Sequence, residues 1–110
     1  MTDSPIVHFD ISAPNEESLH RFYSELFGWA VHRQGPGYAL VETPGGLRGS
    51  IVDAEASQVT LGVGVDDLDD ALARAAELGG TVVMPATDNG WVVKGQVQDP
   101  DGNVLTLIQK

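Results

Sequence analysis

The chain has 110 residues, 42% of them hydrophobic, which is enough for one domain with a real core and fits a globular rather than a disordered composition. Sixteen acids against six Lys and Arg give a net charge of −10 and argue strongly against nucleic acid or an anionic membrane surface as partner, because both need a basic footprint. With no cysteine there is no disulfide framework, thiolate nucleophile or Cys metal site.

The opening Met1-Thr2-Asp3-Ser4-Pro5 lacks the basic and apolar regions of a signal peptide, and no apolar run approaches membrane length. The expectation is a soluble, cytoplasmic protein. Ile6 to Ser12 alternates, with Val7, Phe9 and Ile11 on one face and His8, Asp10 and Ser12 on the other, as a half-buried strand does. A helix follows, with Asn15 expected as N-cap, Glu16 and Glu17 in the positive first turn, and Leu19, Phe22, Tyr23 and Leu26 as its buried stripe. Gly28 ends it. Trp29–Arg33 and Tyr38–Thr43 read as strands around a turn at 34–37, and a Pro-Gly-Gly turn leads to a strand near Gly49–Asp53. After a linker, Ala54–Ser57, the order begins again. Val59–Val65 alternates, Asp66 or Asp67 caps a helix with the stripe Leu68, Ala71, Leu72, Ala75 and Leu78, and Gly79-Gly80 stops it. Thr81–Met84 is a strand, Pro85–Gly90 a loop, Trp91–Gln98 a strand, and Val104–Ile108 the last.

The two halves align. Pro44, Gly46 and Ser50 lie 56 positions before Pro100, Gly102 and Thr106, and His8 lies 52 before Thr60. A period of this size marks a repeated supersecondary unit. The expected fold class is α+β: a single domain, 1–110, made of two β-α-β-β-β repeats (about 5–54 and 58–110) paired around a central cavity.

Val7-His8-Phe9-Asp10-Ile11, Arg21-Phe22-Tyr23 and Leu26-Phe27-Gly28-Trp29 carry a resemblance in the first half. Val65–Ala71, Leu78-Gly79-Gly80 and Asp99-Pro100-Asp101-Gly102-Asn103 carry it in the second. The chain resembles the vicinal oxygen chelate superfamily: glyoxalase I, bleomycin-resistance proteins and extradiol dioxygenases. Phe27-Gly28-Trp29 with Tyr38 and Gly49-Ser50-Ile51 looks most like small proteins described as related to lactoylglutathione lyase. The resemblance implies a homodimer. It also implies a cavity where side chains of the first and last strands hold a divalent ion that chelates two substrate oxygens. The matching positions here are His8, Ser50, Thr60 and Thr106, of which His8 alone is a good ligand, since neutral hydroxyls bind divalent cations weakly.

The residues leave several roles open. His8 fits a packed, hydrogen-bonded histidine, a ligand-contacting acid or base, or a metal ligand if a metal is present. Asp10 and Glu42 supply a carboxylate to the cavity or lie exposed, His20 faces solvent, and His32 reaches either the cavity mouth or solvent. Trp29 and Tyr38 read as core or, as the alternative, as cofactor contacts, whereas Trp91, after Thr87-Asp88-Asn89-Gly90, reads as a rim aromatic able to stack on a ligand. Gln96 and Gln98 face pocket or solvent, and Gly62 and Gly64 widen the Thr60 face. Ser50 with His8 is half a nucleophilic pair with no evident third member, and Asp66–Asp70 fits helix capping better than a calcium loop. No dinucleotide fingerprint, phosphate loop or HExxH is present.

Three functions are consistent with this. The leading one binds a small polar molecule through His8, Ser50, Thr60, Thr106 and Trp91 without metal or other cofactor, with His8 as acid or base if there is catalysis. The second is a metal-dependent lyase, isomerase or dioxygenase using Zn, Ni, Mn or Fe. The third is a non-catalytic accessory module.

Overall fold

The alternation of Ile6–Ser12 becomes strand β1 (Ile6–Ala13), and its buried positions Phe9, Ile11 and Ala13 are the ones the pattern assigns to the core. The structure is a computed structural model that describes residues 3–110, so Met1 and Thr2 of the signal-peptide argument lie outside the described residues. After β1 come α1 (Glu17–Phe27), β2 (Ala30–Gly35), β3 (Tyr38–Glu42) and β4 (Arg48–Asp53). The same order returns as β5 (Gln58–Val65), α2 (Leu68–Glu77), β6 (Thr81–Asp88), β7 (Val93–Gln98) and β8 (Val104–Gln109). The fold is mixed α+β, a β-α-β-β-β unit written twice.

The backbone gathers into two compact units, His8–Thr60 and Leu61–Lys110 with the described residues up to Val7. In the first, the strand order is β2-β3-β4-β1, with β1 parallel to β4 and the other pairs antiparallel. In the second it is β5-β8-β7-β6, with β5 parallel to β8. A parallel pair needs a crossover, which the helix and the intervening hairpin supply in each repeat.

The cores differ in chemistry. In the first unit Phe9, Ile11, Ala39, Val41 and Ile51 are buried, with Leu19, Tyr23, Trp29 and Val31 packed against them. Tyr23 stacks on Trp29 with centroids 5.6 Å apart and planes 7° apart. Gly49 lies beneath Phe9, and a Cβ there would come within 2.4 Å of the ring, so only glycine admits this approach. The second unit buries Val65, Leu68, Leu72, Val97 and Leu107, an aliphatic set. Each such side chain contributes about 1.5–3 kcal/mol when fully removed from water.

The duplicated turns are alike down to their backbone hydrogen bonds. Thr43 N–H donates to the Leu47 carbonyl and Gly46 N–H to that of Thr43. At the matching places Asp99 N–H donates to Asn103 and Gly102 N–H to Asp99. Gly46 and Gly102 share a left-handed φ, 95° and 99°, which is why both are glycine.

Several expectations change. Residue Glu16, not Asn15, sits at the cap position of α1, in helical conformation and with no side-chain cap bond. Asn15 instead offers its carbonyl to Ser18. Phe22 and Leu26 are exposed, because Leu19 and Tyr23, one turn apart, fill the row that meets the core. In α2 the stripe holds through Leu68 and Leu72, Asp67 caps by accepting Asp70 N–H, and Leu78 is exposed because the helix has ended. The expected loop at 85–90 is largely strand: β6 runs through Pro85 to Asp88 with register shifts, which an edge strand tolerates since it needs no outward N–H. Strand β7 starts at Val93 rather than Trp91. Tyr38 is exposed rather than core. Among the described residues no helix is long and apolar enough to cross a membrane.

Candidate functional site

Register decides which side chains share a face. Along β1, His8, Asp10 and Ser12 lie opposite Arg48, Ser50 and Val52 of β4. Across β3, Tyr38, Leu40 and Glu42 lie beside Val52, Ser50 and Arg48, and His32 of β2 lies beside Leu40. Partnered residues project to the same side of a sheet, and Phe9, Ile11, Gly49, Ile51, Ala39 and Val41 project to the other, into the aromatic core. The first unit therefore presents one face carrying His8, Asp10, Arg48, Ser50, Leu40, Glu42 and His32.

On that face His8 is held on two sides. Its Nε2 lies 3.2 Å from Asp10 Oδ1 and 3.1 Å from Ser50 Oγ, with the imidazole 27% exposed. A carboxylate can only accept, so the neutral ring keeps its hydrogen on Nε2, toward Asp10 and Ser50. The Nδ1 lone pair is then the base. Both neighbours meet the same nitrogen. A nucleophilic serine needs one ring nitrogen to take its proton while the other donates to the acid, and this arrangement does not provide that. Its chemistry is that of an oriented imidazole, able to accept a hydrogen bond or a proton.

Thr60 and Thr106 are buried hydroxyls in matching circumstances. Gln58 Nε2 donates to Thr60 Oγ1 at 3.0 Å, and Gln96 Nε2 donates to Thr106 Oγ1 at 3.1 Å. Each oxygen accepts an amide hydrogen and keeps its own hydrogen to donate. Gln98, by contrast, reaches back to the Gly102 carbonyl. Trp91 is 92% exposed beyond the start of β7, on a turn fixed by Asn89 Oδ1, which accepts the Trp91 and Val92 N–H groups. Of the residues singled out in the sequence, the structure brings His8, Asp10 and Ser50 together within the first unit. Thr60 pairs with Gln58, and Thr106 with Gln96.

Among the described residues no three His, Asp or Glu are grouped to hold a metal ion. At the four carried-over positions the donors are one imidazole and three hydroxyls, two of them already accepting amide hydrogens. That set does not fit a divalent ion, which wants imidazole, carboxylate or thiolate.

Two features were not legible beforehand. His20, expected in solvent, is half-buried against Glu16, whose carboxylate is 1% exposed and keeps one oxygen, Oε1, without a partner. The spacing of four along a helix is the signal that places them together. A cleft of about 330 Å³ opens elsewhere in the first unit, between Ile11, Leu19 and Tyr23 and the chain at Ser57–Val59. It lies on the α1 side of the sheet, lined without a titratable group other than the Tyr23 phenol, and the His8 cluster is no part of it.

Comparison with known proteins agrees with this fold. A family model described as a glyoxalase-like domain matches residues 7–108. A glyoxalase/bleomycin resistance protein/dioxygenase superfamily member from Vibrio splendidus 12B01 superposes with a TM-score of 0.75 at 16% identity, covering 98% of this chain and 100% of that one. Methylmalonyl-CoA epimerase from Mycobacterium tuberculosis gives 0.72 at 16%, with coverages of 94% and 86%. The Mn(II)-bound glyoxalase from Novosphingobium aromaticivorans gives 0.70 at 16%, with 94% of this chain on 38% of that one. At these identities the solved structures speak to the fold alone. No curated protein matches in sequence. A match over nearly the whole length, on a twice-written β-α-β-β-β fold, makes the chain a member of the glyoxalase-like domain family, within the vicinal oxygen chelate superfamily.

Proposed function

We propose that the protein binds a small polar molecule on the His8 face without a metal, and that His8 is the acid or base of any reaction there. The observation that carries this reading is the imidazole fixed by Asp10 and Ser50 with Nδ1 left free. Asp10 acts by orienting the ring and holding its tautomer. In the first unit the Ser50 and Thr60 hydroxyls are further ligand contacts in this reading, and in the second, taken by itself, the Thr106 hydroxyl and the Trp91 ring are. The donor chemistry at the carried-over positions supports a metal-independent site, and the net charge of −10 supports a partner other than nucleic acid. The reading includes a cytoplasmic homodimer.

Elemental analysis of untagged protein purified without chelator is the first test, paired with His8→Gln. Protein without stoichiometric metal, together with a ligand response in a thermal-shift screen that His8→Gln weakens, supports the proposal. If a reaction is found, loss of a general base lowers its rate by about 10²–10⁴-fold. Near one Zn, Ni, Mn or Fe per chain, lost in His8→Gln, overturns it in favour of a metal-dependent lyase, isomerase or dioxygenase. A normal ligand response in His8→Gln removes His8 from the site.

A further inference from the structure

Arg48 stands beside His8 in the β1–β4 register and on the same face. Of the six basic residues, Arg21, Arg33, Arg74 and Lys110 form ion pairs with Glu25, Glu17, Glu77 and Asp66. Among the described residues Arg48 has no ion pair, although the chain carries sixteen acids. Its neighbour across the β3–β4 register is Glu42, so a partner is within one strand spacing. Glu42 turns its carboxylate to His32 instead, Oε2 to Nε2 at 3.6 Å. The other carboxylate on this face, Asp10, is engaged by His8. Each acid on the face is thus hydrogen-bonded or turned to a histidine, and among the described residues the Arg48 guanidinium is left without a contact ion pair.

Apolar surface adjoins it. Leu40 and Tyr38, exposed on β3, sit beside Ser50 and Val52, one and two alternate positions along the strands from Arg48. Diagonal neighbours in a sheet are about 7–8 Å apart, within the length of a small aryl or alkyl group. A planar guanidinium with free N–H groups recognises a carboxylate through two parallel hydrogen bonds. Resting on the reading of the His8 face as the ligand site, we propose that Arg48 anchors the ligand and that the ligand is a small carboxylic acid with an apolar body. The carboxylate pairs with Arg48, the body lies along Leu40 and Tyr38, and His8 contacts the polar portion between them.

The test uses the full chain, nitrogen-15 labelled, titrated with phenylacetate and with its neutral counterpart phenylacetamide, and read at the amides of Asp10, Leu40 and Ser50. Phenylacetate is expected to shift these amides and to bind at least about tenfold more tightly than the amide, the scale of a charge-assisted pair. Arg48→Gln should bring the two probes to the same affinity, and Arg48→Lys should keep part of the preference. Lys94→Gln, which removes the other Lys or Arg without an ion pair among the described residues, should leave it intact. Arg48 is exposed, so the variants fold, and unchanged spectra elsewhere establish that. Equal affinity for the two probes in the native chain, or a preference that survives Arg48→Gln, overturns the carboxylate inference and leaves the His8 reading standing. No shift at these amides with either probe likewise overturns the carboxylate inference, and the His8 reading is decided separately by the thermal-shift screen with His8→Gln.

Discussion

The two repeats run the same elements in the same order and solve the same packing problem with different side chains. The first closes its core with Phe9, Tyr23 and Trp29, buries no residue of α1 completely, and leaves that helix without a side-chain cap. The second uses aliphatic groups, buries Leu68 and Leu72 of α2, and caps the helix with Asp67. The reactive groups follow the same division. Both units hold a glutamine–threonine pair, Gln58 with Thr60 and Gln96 with Thr106, and to this the first adds a histidine held between a carboxylate and a hydroxyl. A duplicated topology therefore preserves strand register and turns while leaving core composition and surface chemistry free to diverge. What it must preserve is backbone geometry, as the paired hydrogen bonds of the turns at Thr43 and Asp99 show.

The largest effect that sharpens this contrast comes from the aromatic core. Phe9→Ala removes a buried ring that packs on Trp29 at 5.7 Å and should cost about 3–5 kcal/mol in urea unfolding. Leu72→Ala, its counterpart in the aliphatic core, should cost about 2–5 kcal/mol. If the transitions report the units separately, Phe9→Ala lowers the midpoint seen by amides of the first unit and Leu72→Ala that of the second. Identical shifts at all amides would show one cooperative transition.

The next largest comes from two close-packed glycines. Gly49→Ala places a Cβ 2.4 Å from the Phe9 ring, and overpacking of this kind costs about 1–3 kcal/mol. Gly95→Ala in β7 meets the Met84 carbonyl at 3.0 Å and Leu72 at 3.2 Å, which smaller adjustments relieve, so its drop in Tm should be the lesser. A larger drop for Gly95→Ala would place the tighter packing in the second unit.

Smallest is the acid response of the repeated turns. Hydrogen bonds from the Asn103 side chain, then from its backbone N–H, hold the Asp99 carboxyl below its ordinary value of 3.8. A lowered carboxyl contributes stability that is present above the unfolded value and lost as pH falls through the folded one. The turn at Asp99 should therefore loosen as pH is lowered from about 5 to about 2, while the turn at Thr43, where a hydroxyl replaces the carboxylate, should not. Amide exchange at Asn103 and Leu47 across that range checks this, and equal behaviour at both would remove the carboxylate from the account.

Much of the architecture was legible because strand alternation and duplicated turns are local signals. The ten elements stand in the order the pattern gives, and Asp67 caps α2 as its position after an alternating strand implies. Phe22 and Leu26 were misplaced because helical spacing shows which residues share a side, not how wide a stripe the core can cover. Pro85 suggested a loop because the pattern does not say that β6 is an edge. At the site, alternation and the repeat brought out His8 and Ser50. Their contact and the place of Arg48 depend on the β1–β4 register, which arises between strands forty residues apart. The partnering of Glu42 with His32 is of the same kind, set by strands that meet across a hairpin.

The chain has two tryptophans, and they fall in different units and opposite surroundings. Trp29 is packed among Phe9, Tyr23 and Phe27, while Trp91 stands almost wholly in water on its turn. The molecule thus carries one tryptophan per unit, the first emitting from an apolar setting and the second from an aqueous one. Single-tryptophan variants made by Trp91→Phe or Trp29→Phe turn each repeat into its own optical channel, so that events in one can be followed by light without labelling either.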